Sequence, residues 1–383
     1  MSTAAGRRRE GDTGGDTEVD VLVIGAGQAG LGTGYWLTRQ TALSFLVVDG
    51  DERVGESWRR RWDSLVLFTP RRFSSLPGAP MPRGPGEHAS KDEHADYLRS
   101  YADGRGLPVR LRTRVLALEQ DGTGGFIADT TTGSIRARHV VVASGPYSTP
   151  FVPDAADGLD PSVAQLHSSA YRRPGDLPGQ DVLVVGAGNS AAQLAVELAA
   201  SRRVTVAAPG GMWFLPSRLF GVSLYWWLWL SGILNGRNGS RVSRLVRARG
   251  DGIIGRDLQL LVAAGDVRMV KERVCGAHGS VVLLSDGTKV KTDAVLWCTG
   301  FRPDHGWLGI PGALDHLGRP VQDAGRSPVP GLHWVGLPWQ TRLNSGIIDG
   351  VDRDARRAVR RIAAEQAGAR VADAGVRPAR PGP

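Results

Sequence analysis

The chain has 383 residues, 41% hydrophobic and 22% charged, the composition of an ordinary soluble globular protein with room for two medium domains. Lys and Arg outnumber Asp and Glu by 47 to 38, a formal charge of +9, but the excess is arginine scattered without a long basic block. That pattern favours anionic cofactors, and no nucleic-acid partner is expected. Two cysteines, Cys275 and Cys298, with no CxxC pair, exclude a disulfide framework and point to a reducing, cytoplasmic setting.

Residues 1–18 hold Gly, Thr, Asp, Glu and Arg without an apolar run, and read as a disordered tail rather than a signal peptide. Residues 19–24 are short and apolar, as in a parallel strand buried on both faces, and run into Gly25, Gly27 and Gly30. A helical stretch follows, then a second strand that ends at Asp49, 24 residues after Gly25. This is the spacing of a dinucleotide-binding turn, with a carboxylate placed for a ribose diol. "KDEHADYLRSYADGRGL" reads as an amphipathic helix, and strands with a hairpin close the unit at "VVASG".

From residue 181 the pattern repeats: a β-branched strand, then Gly186, Gly188 and Ala191, then a helical stripe of Leu194, Ala195 and Leu198. A lone GxGxxG can be a purely structural turn. Here both copies carry the strand–turn–helix context that would put phosphates at a helix N-terminus. "SDG" around Asp286–Gly287 marks a hairpin, and "LWCTG" is the counterpart of "VVASG". The fold class expected is therefore α/β, with two Rossmann-like dinucleotide domains, the second inserted in the first. The boundaries read are 19–150 with 301–366 for the first, 151–300 for the second, and 367–383 as another tail.

One stretch departs from this pattern. Residues 219–236 carry no charge and include Trp226, Trp227 and Trp229. Three readings fit: a pocket wall, a peripheral membrane contact through 219–234, or a membrane span. Glycines and serines dilute the stretch and it lies inside a nucleotide domain, so the pocket wall is preferred, with Trp226 and Trp227 facing substrate.

"GESWRRRWDSLVLFTPRRFSSLPG", "QLHSSAYRRP" and "WCTGFRPD", in this order around two glycine turns, resemble the class B flavin-containing monooxygenases, closest to YUCCA-like enzymes and small bacterial flavoproteins of that group. The resemblance implies that Gly25, Gly27, Gln28, Ala29, Gly30 and Asp49 hold the ADP half of FAD. By the same likeness Trp58, Arg59, Leu67, Phe68 and Thr69 line the flavin, and Val115 is a further cofactor-binding residue. Gly186, Gly188, Asn189 and Ser190 would hold NADPH, with NADH the alternative. His167 and Tyr171 match half of the family fingerprint, whose front is absent, since Pro161 and Val163 stand there. Phe68 replaces an asparagine found in many members, and Ala208 an arginine for the 2′-phosphate, leaving Arg218, Arg202 or Arg203 to supply that charge.

What the family implies is NADPH-dependent insertion of one oxygen atom of O2 into a small-molecule substrate through a C4a-(hydro)peroxyflavin, with Thr69 and His167 the candidate catalytic residues. The alternatives are a reductase passing electrons to a quinone or other acceptor, and a nucleotide-binding redox sensor. No metal ligand set is expected.

Overall fold

A computed structural model describes residues 17–250 and 252–375. The first unit opens with β1 (Thr17–Ile24), α1 (Gln28–Gln40) and β2 (Phe45–Val48). Next come α2 (Glu56–Arg59), β3 (Val66–Pro70), β4 (His88–Ser90) and α3 (Lys91–Gly104). A capping box starts α3: the Ser90 hydroxyl accepts from the Glu93 N–H, and the Glu93 carboxylate accepts from the Ser90 N–H. β5 (Val109–Arg110) is followed by a meander of β6 (Val115–Gln120), β7 (Phe126–Thr130) and β8 (Gly133–Val142). The sheet order is β5-β2-β1-β8-β7-β6.

β9 (Thr149–Pro150) leads out to the second unit, which begins with β10 (Ala164–His167), β11 (Asp181–Val185), α4 (Asn189–Ala199) and β12 (Arg203–Ala207). An excursion of small elements follows: β13 (Phe214–Leu215), β14 (Arg218–Leu219), β15 (Val222–Ser223), α5 (Leu224–Leu230), α6 (Arg241–Arg249) and β16 (Ile253–Ile254). α7 (Asp257–Ala264) and β17 (Val267–Val270) return to the sheet. β18 (Val274–His278), β19 (Val281–Leu284) and β20 (Lys289–Lys291) form a separate three-stranded sheet before β21 (Ala294–Trp297). The second sheet is parallel throughout, in the order β10-β21-β11-β12-β17.

The chain re-enters the first unit through β22 (Phe301–Arg302), which pairs antiparallel with β9, Phe301 opposite Pro150. β23 (Leu332–Trp334) then pairs in parallel with the second half of β8, and α8 (Val351–Gly375) packs on α1. The second sheet is thus interposed in the chain between two parts of the first.

β8 shows why the apolar runs are uninterrupted. Val140 and Val142 pack with Leu22, Ile24 and Trp334 on one face, while Val141 packs with Val23, Val359 and Ile362 on the other. The tails are shorter than the sequence reading made them. β1 starts at Thr17, inside the stretch read as a tail, because Thr17 and Glu18 pair with Ile135 and Arg136 of β8. Residues 367–375, also read as a tail, continue α8. The rest of both tails, 1–16 and 376–383, lies outside the described residues.

Candidate functional site

The two glycine turns are built alike. Gly25 has φ +108° and Gly186 φ +146°, a region that side chains strain to adopt, and a Cβ on either would strike the carbonyl of the closing strand: Ala143 O at 2.6 Å, Cys298 O at 2.3 Å. "VVASG" and "LWCTG" are therefore the walls against which each turn is folded. At the third position a Cβ on Gly30 would lie 1.8 Å from Gly25 O, so α1 packs tightly over β1. Gly27 and Gly188 behave differently: a Cβ there would meet nothing within 4 Å. Each is the N-cap of its helix, with no side-chain cap and no acid in the first turn, so the free N–H groups of α1 and α4 are left for an anion.

Gly25, Gly27, Gln28, Ala29, Asp49, Trp58 and Val115 border a cavity of about 510 Å³. Asp49 is fixed in its wall: its carboxylate accepts from the Ala26 N–H at 2.6 Å and from the Asp51 N–H at 2.9 Å. Burial pushes its pKa above the ordinary carboxylate value, against the pull of those hydrogen bonds. An open glycine cradle, uncapped N–H groups and a seated acid in one cavity of cofactor size fit the ADP half of FAD.

Trp58 joins the two units. It packs against the apolar cores of both and meets the His94 ring edge-on at 4.8 Å. Arg59 departs from the sequence reading: its guanidinium turns out to Asp96, and Arg60 and Arg61 border the cavity instead. Helical spacing was the available signal, since three and four residues on from Trp58 stand Arg61 and Trp62. Trp62 and Leu65 enter the core of the second unit, and Arg61 lies over the rings of Phe301 and Tyr147. In β3, Leu67 and Thr69 are buried and Phe68 is the outward residue; the Thr69 and Ser74 hydroxyls lie 2.7 Å apart. None of the three borders the large cavity.

His167 has both ring nitrogens engaged, 2.9 Å from Gly300 O and 2.9 Å from Ser169 Oγ, and its ring stands edge-on to Phe301. Burial lowers its pKa, the Gly300 carbonyl opposes that, and Arg61 adds to it. In this conformation neither nitrogen is free to take a proton from a substrate, and the ring holds the β9–β22 crossing.

The arginines read for the 2′-phosphate lie elsewhere. Arg203 pairs with Asp181 where β12 and β11 begin, and Arg202 binds Leu177 O, so both sit at the opposite end of the sheet from the glycine turn. Arg218 is engaged by Glu87 and Gly221 O. The glycine-turn end of this sheet carries Lys271 instead, just after β17, whose side chain comes within 3.4 Å of a Cβ on Gly211 beyond the end of β12. The Asn189 side chain bridges to β16, accepting from the Ile254 N–H and donating to Gly252 O.

Residues 219–236 form a hairpin, the single short helix α5 and a loop. Among the described residues no helix is long and apolar enough to cross a membrane, which removes the span. Tyr225 and Leu234 are buried with Phe73 of the first unit, and Trp226 meets Phe73 edge-on at 4.7 Å. The partners Leu343 and Ile347 flank Ser345 and Gly346, which border the large cavity. Trp227 contradicts its pocket assignment: it is 39% exposed, packs on Phe220 and donates its indole N–H to Leu219 O. α5 turns Trp226 inward and Trp227 outward, since one step along a helix of 3.6 residues per turn rotates a side chain by about 100°.

Comparison with known proteins agrees with this construction. The family model described as pyridine nucleotide-disulphide oxidoreductase matches residues 22–224. A CzcO-like oxidoreductase of Geobacillus kaustophilus is 43% identical over 337 residues, covering 88% of this chain and 96% of the relative. The indole-3-pyruvate monooxygenase YUCCA4 of rice is 31% identical over 56% of this chain and 55% of its own length. A flavin-containing monooxygenase from Stenotrophomonas maltophilia superposes with a TM-score of 0.76 at 30% identity, covering 91% of this chain and 99% of that one. With two nucleotide cradles on two Rossmann-like sheets, the chain belongs to the pyridine nucleotide-disulphide oxidoreductase family, on its class B flavin monooxygenase-like branch, and is a flavin-dependent oxidoreductase using FAD and a nicotinamide nucleotide.

Proposed function

We propose that the protein is an NADPH-consuming monooxygenase that inserts one oxygen atom of O2 into a small organic substrate. The observation that carries the reading is the pair of open glycine cradles, at Gly27 and Gly188, on separate sheets joined by one two-stranded crossing. When bound, FAD supplies the hydride acceptor and the oxygen chemistry. The chain's own residues bind, orient and keep out water. Asp49 and the N–H groups of α1 hold the ribose and diphosphate, and Trp58 fixes the flavin segment against both cores. Leu67, Phe68 and Thr69 fill the strand beside it, and Tyr225 and Trp226 close the far wall over Phe73. His167 acts as a positioning residue at the crossing.

NADPH is favoured over NADH because Lys271 offers a cation at the end of β12, where Ala208 offers none. Oxygen transfer is favoured over delivery of electrons to a quinone by the S. maltophilia and rice relatives and by the apolar wall against Phe73. The outer face, with Phe220 and Leu230, is where a peripheral membrane contact would rest, and co-sedimentation with anionic vesicles measures it.

The deciding experiment follows NADPH oxidation under nitrogen and under labelled O2. Under nitrogen the flavin is reduced once and consumption stops. Under labelled O2 turnover continues, and an accepted substrate gains one labelled atom. Sustained oxidation under nitrogen with a quinone present, and no label in any product under labelled O2, would overturn the reading in favour of a reductase.

A further inference from the structure

His139, His333 and Glu365 come from three elements that meet only in the folded chain: β8, β23 and α8. Their convergence follows from the strand alternation. On β8, Val141 packs against the α8 residues Ala355, Val359 and Ile362, so His139 two positions earlier faces the same helix. On β23, Leu332 and Trp334 turn to the opposite core, which sends His333 toward α8. Glu365 stands one turn beyond Ile362 on the side of α8 that meets the sheet. A polar cluster thus closes one end of an otherwise apolar contact.

The cluster is unfinished as a hydrogen-bond network. His333 is 1% exposed and His139 6%, yet His333 Nδ1, His333 Nε2 and His139 Nδ1 are buried without a hydrogen-bond partner. Unpaired buried imidazoles are costly and call for a ligand. Glu365 Oε2 lies 3.5 Å from His333 Nε2 and 3.7 Å from His139 Nδ1, and all three ligand atoms fall within 4.8 Å of one another. Bond lengths of about 2.0–2.1 Å to tetrahedral zinc give a ligand–ligand edge of about 3.4 Å, so two of the three edges are already close to that value.

We propose that His139, His333 and Glu365 bind one divalent transition-metal ion, zinc by the donor set, and that the ion fastens β23 and α8 to the sheet of the first unit. Two imidazoles and one carboxylate leave a fourth position for water. The site is remote from both glycine turns in role: it ties the last elements of the chain to β8, and the energy of binding the ion becomes energy of folding.

The test uses full-length, FAD-loaded protein without a histidine tag, stripped with chelator and titrated with zinc chloride alone. The wild type is expected to take up one zinc that the His333→Leu variant does not, measured by equilibrium dialysis and elemental analysis. Zinc at a hundredfold over its Kd should raise the wild-type Tm by about 3 °C. Glu365→Gln, on the partly exposed helix surface, is the second variant should His333→Leu fail to fold; it should keep FAD and lose the zinc-dependent rise. No uptake by the wild type, or equal uptake and equal Tm shifts in wild type and Glu365→Gln, would overturn the proposal.

Discussion

At the scale of single residues, the site is a matter of which end of a strand a side chain occupies. Lys271 follows the last residue of β17, level with the end of β12, whereas Arg203 starts β12 about 16 Å away at roughly 3.3 Å per residue. Lys271→Ala should therefore raise KM for NADPH about tenfold and leave KM for NADH unchanged, in steady-state kinetics with each nucleotide. Sequence reading located Gly25, Gly186 and Asp49 because a turn fixes them by local spacing. Lys271, the cation proposed for the 2′-phosphate, is not legible in the sequence because strand order decides its position, and β17 is reached only after the excursion through α5 and α6. His94 belongs to this scale as well. Burial between Trp58 and Tyr97 pushes its pKa down to about 3, so it is neutral in the folded protein, while in the unfolded chain it titrates near 6.5. The unfolded chain then binds the extra proton, so stability is fully present above about pH 6.5 and is lost as pH falls toward 3. The loss is on the order of 2 kcal/mol between pH 7 and 5. His94→Phe should flatten that part of the pH profile of the urea midpoint for flavin release.

At the scale of elements, two stretches were read by composition alone, and composition does not carry direction. Residues 219–236 are apolar as a whole, but α5 is one short helix whose inner side meets Phe73 while Trp227 and Leu230 face out. Trp226→Ala should let water reach the flavin and divert NADPH oxidation into hydrogen peroxide, whereas Trp227→Ala should leave coupling unchanged. Peroxide yield per NADPH consumed distinguishes them, and equal coupling in the two variants would remove Trp226 from the wall. The C-terminal stretch misled in the other direction. Its Ala, Arg, Pro and Gly read as a tail, yet Ala and Arg are strong helix formers, and α8 runs on through residues 367–375, ahead of the first of those prolines. β1 gained its first residues from pairing with β8, a tertiary effect that no local pattern carries.

At the scale of the whole molecule, the fold was legible because the sequence repeats itself: two strands, two glycine turns and two closing motifs place two sheets without any knowledge of contacts. The interface was not legible, because Trp62 and Leu65 leave the first unit to enter the core of the second, and nothing in their neighbours marks that exchange. Since each unit keeps its own cradle, Gly188→Trp should leave FAD bound at full occupancy and abolish flavin reduction by NADPH. Absorbance of the purified variant and anaerobic stopped-flow reduction measure the two halves of that statement. The return of β23 to β8 also has a consequence in time. As the chain leaves the ribosome, β8 is complete long before its partner exists, and at about 5–20 residues per second the wait is on the order of ten seconds or more. The second unit, whose five-stranded sheet lies wholly between β9 and β22, is whole before β23 appears. The later-encoded unit is thus the one able to fold first, and the earlier one closes only when the final helix arrives.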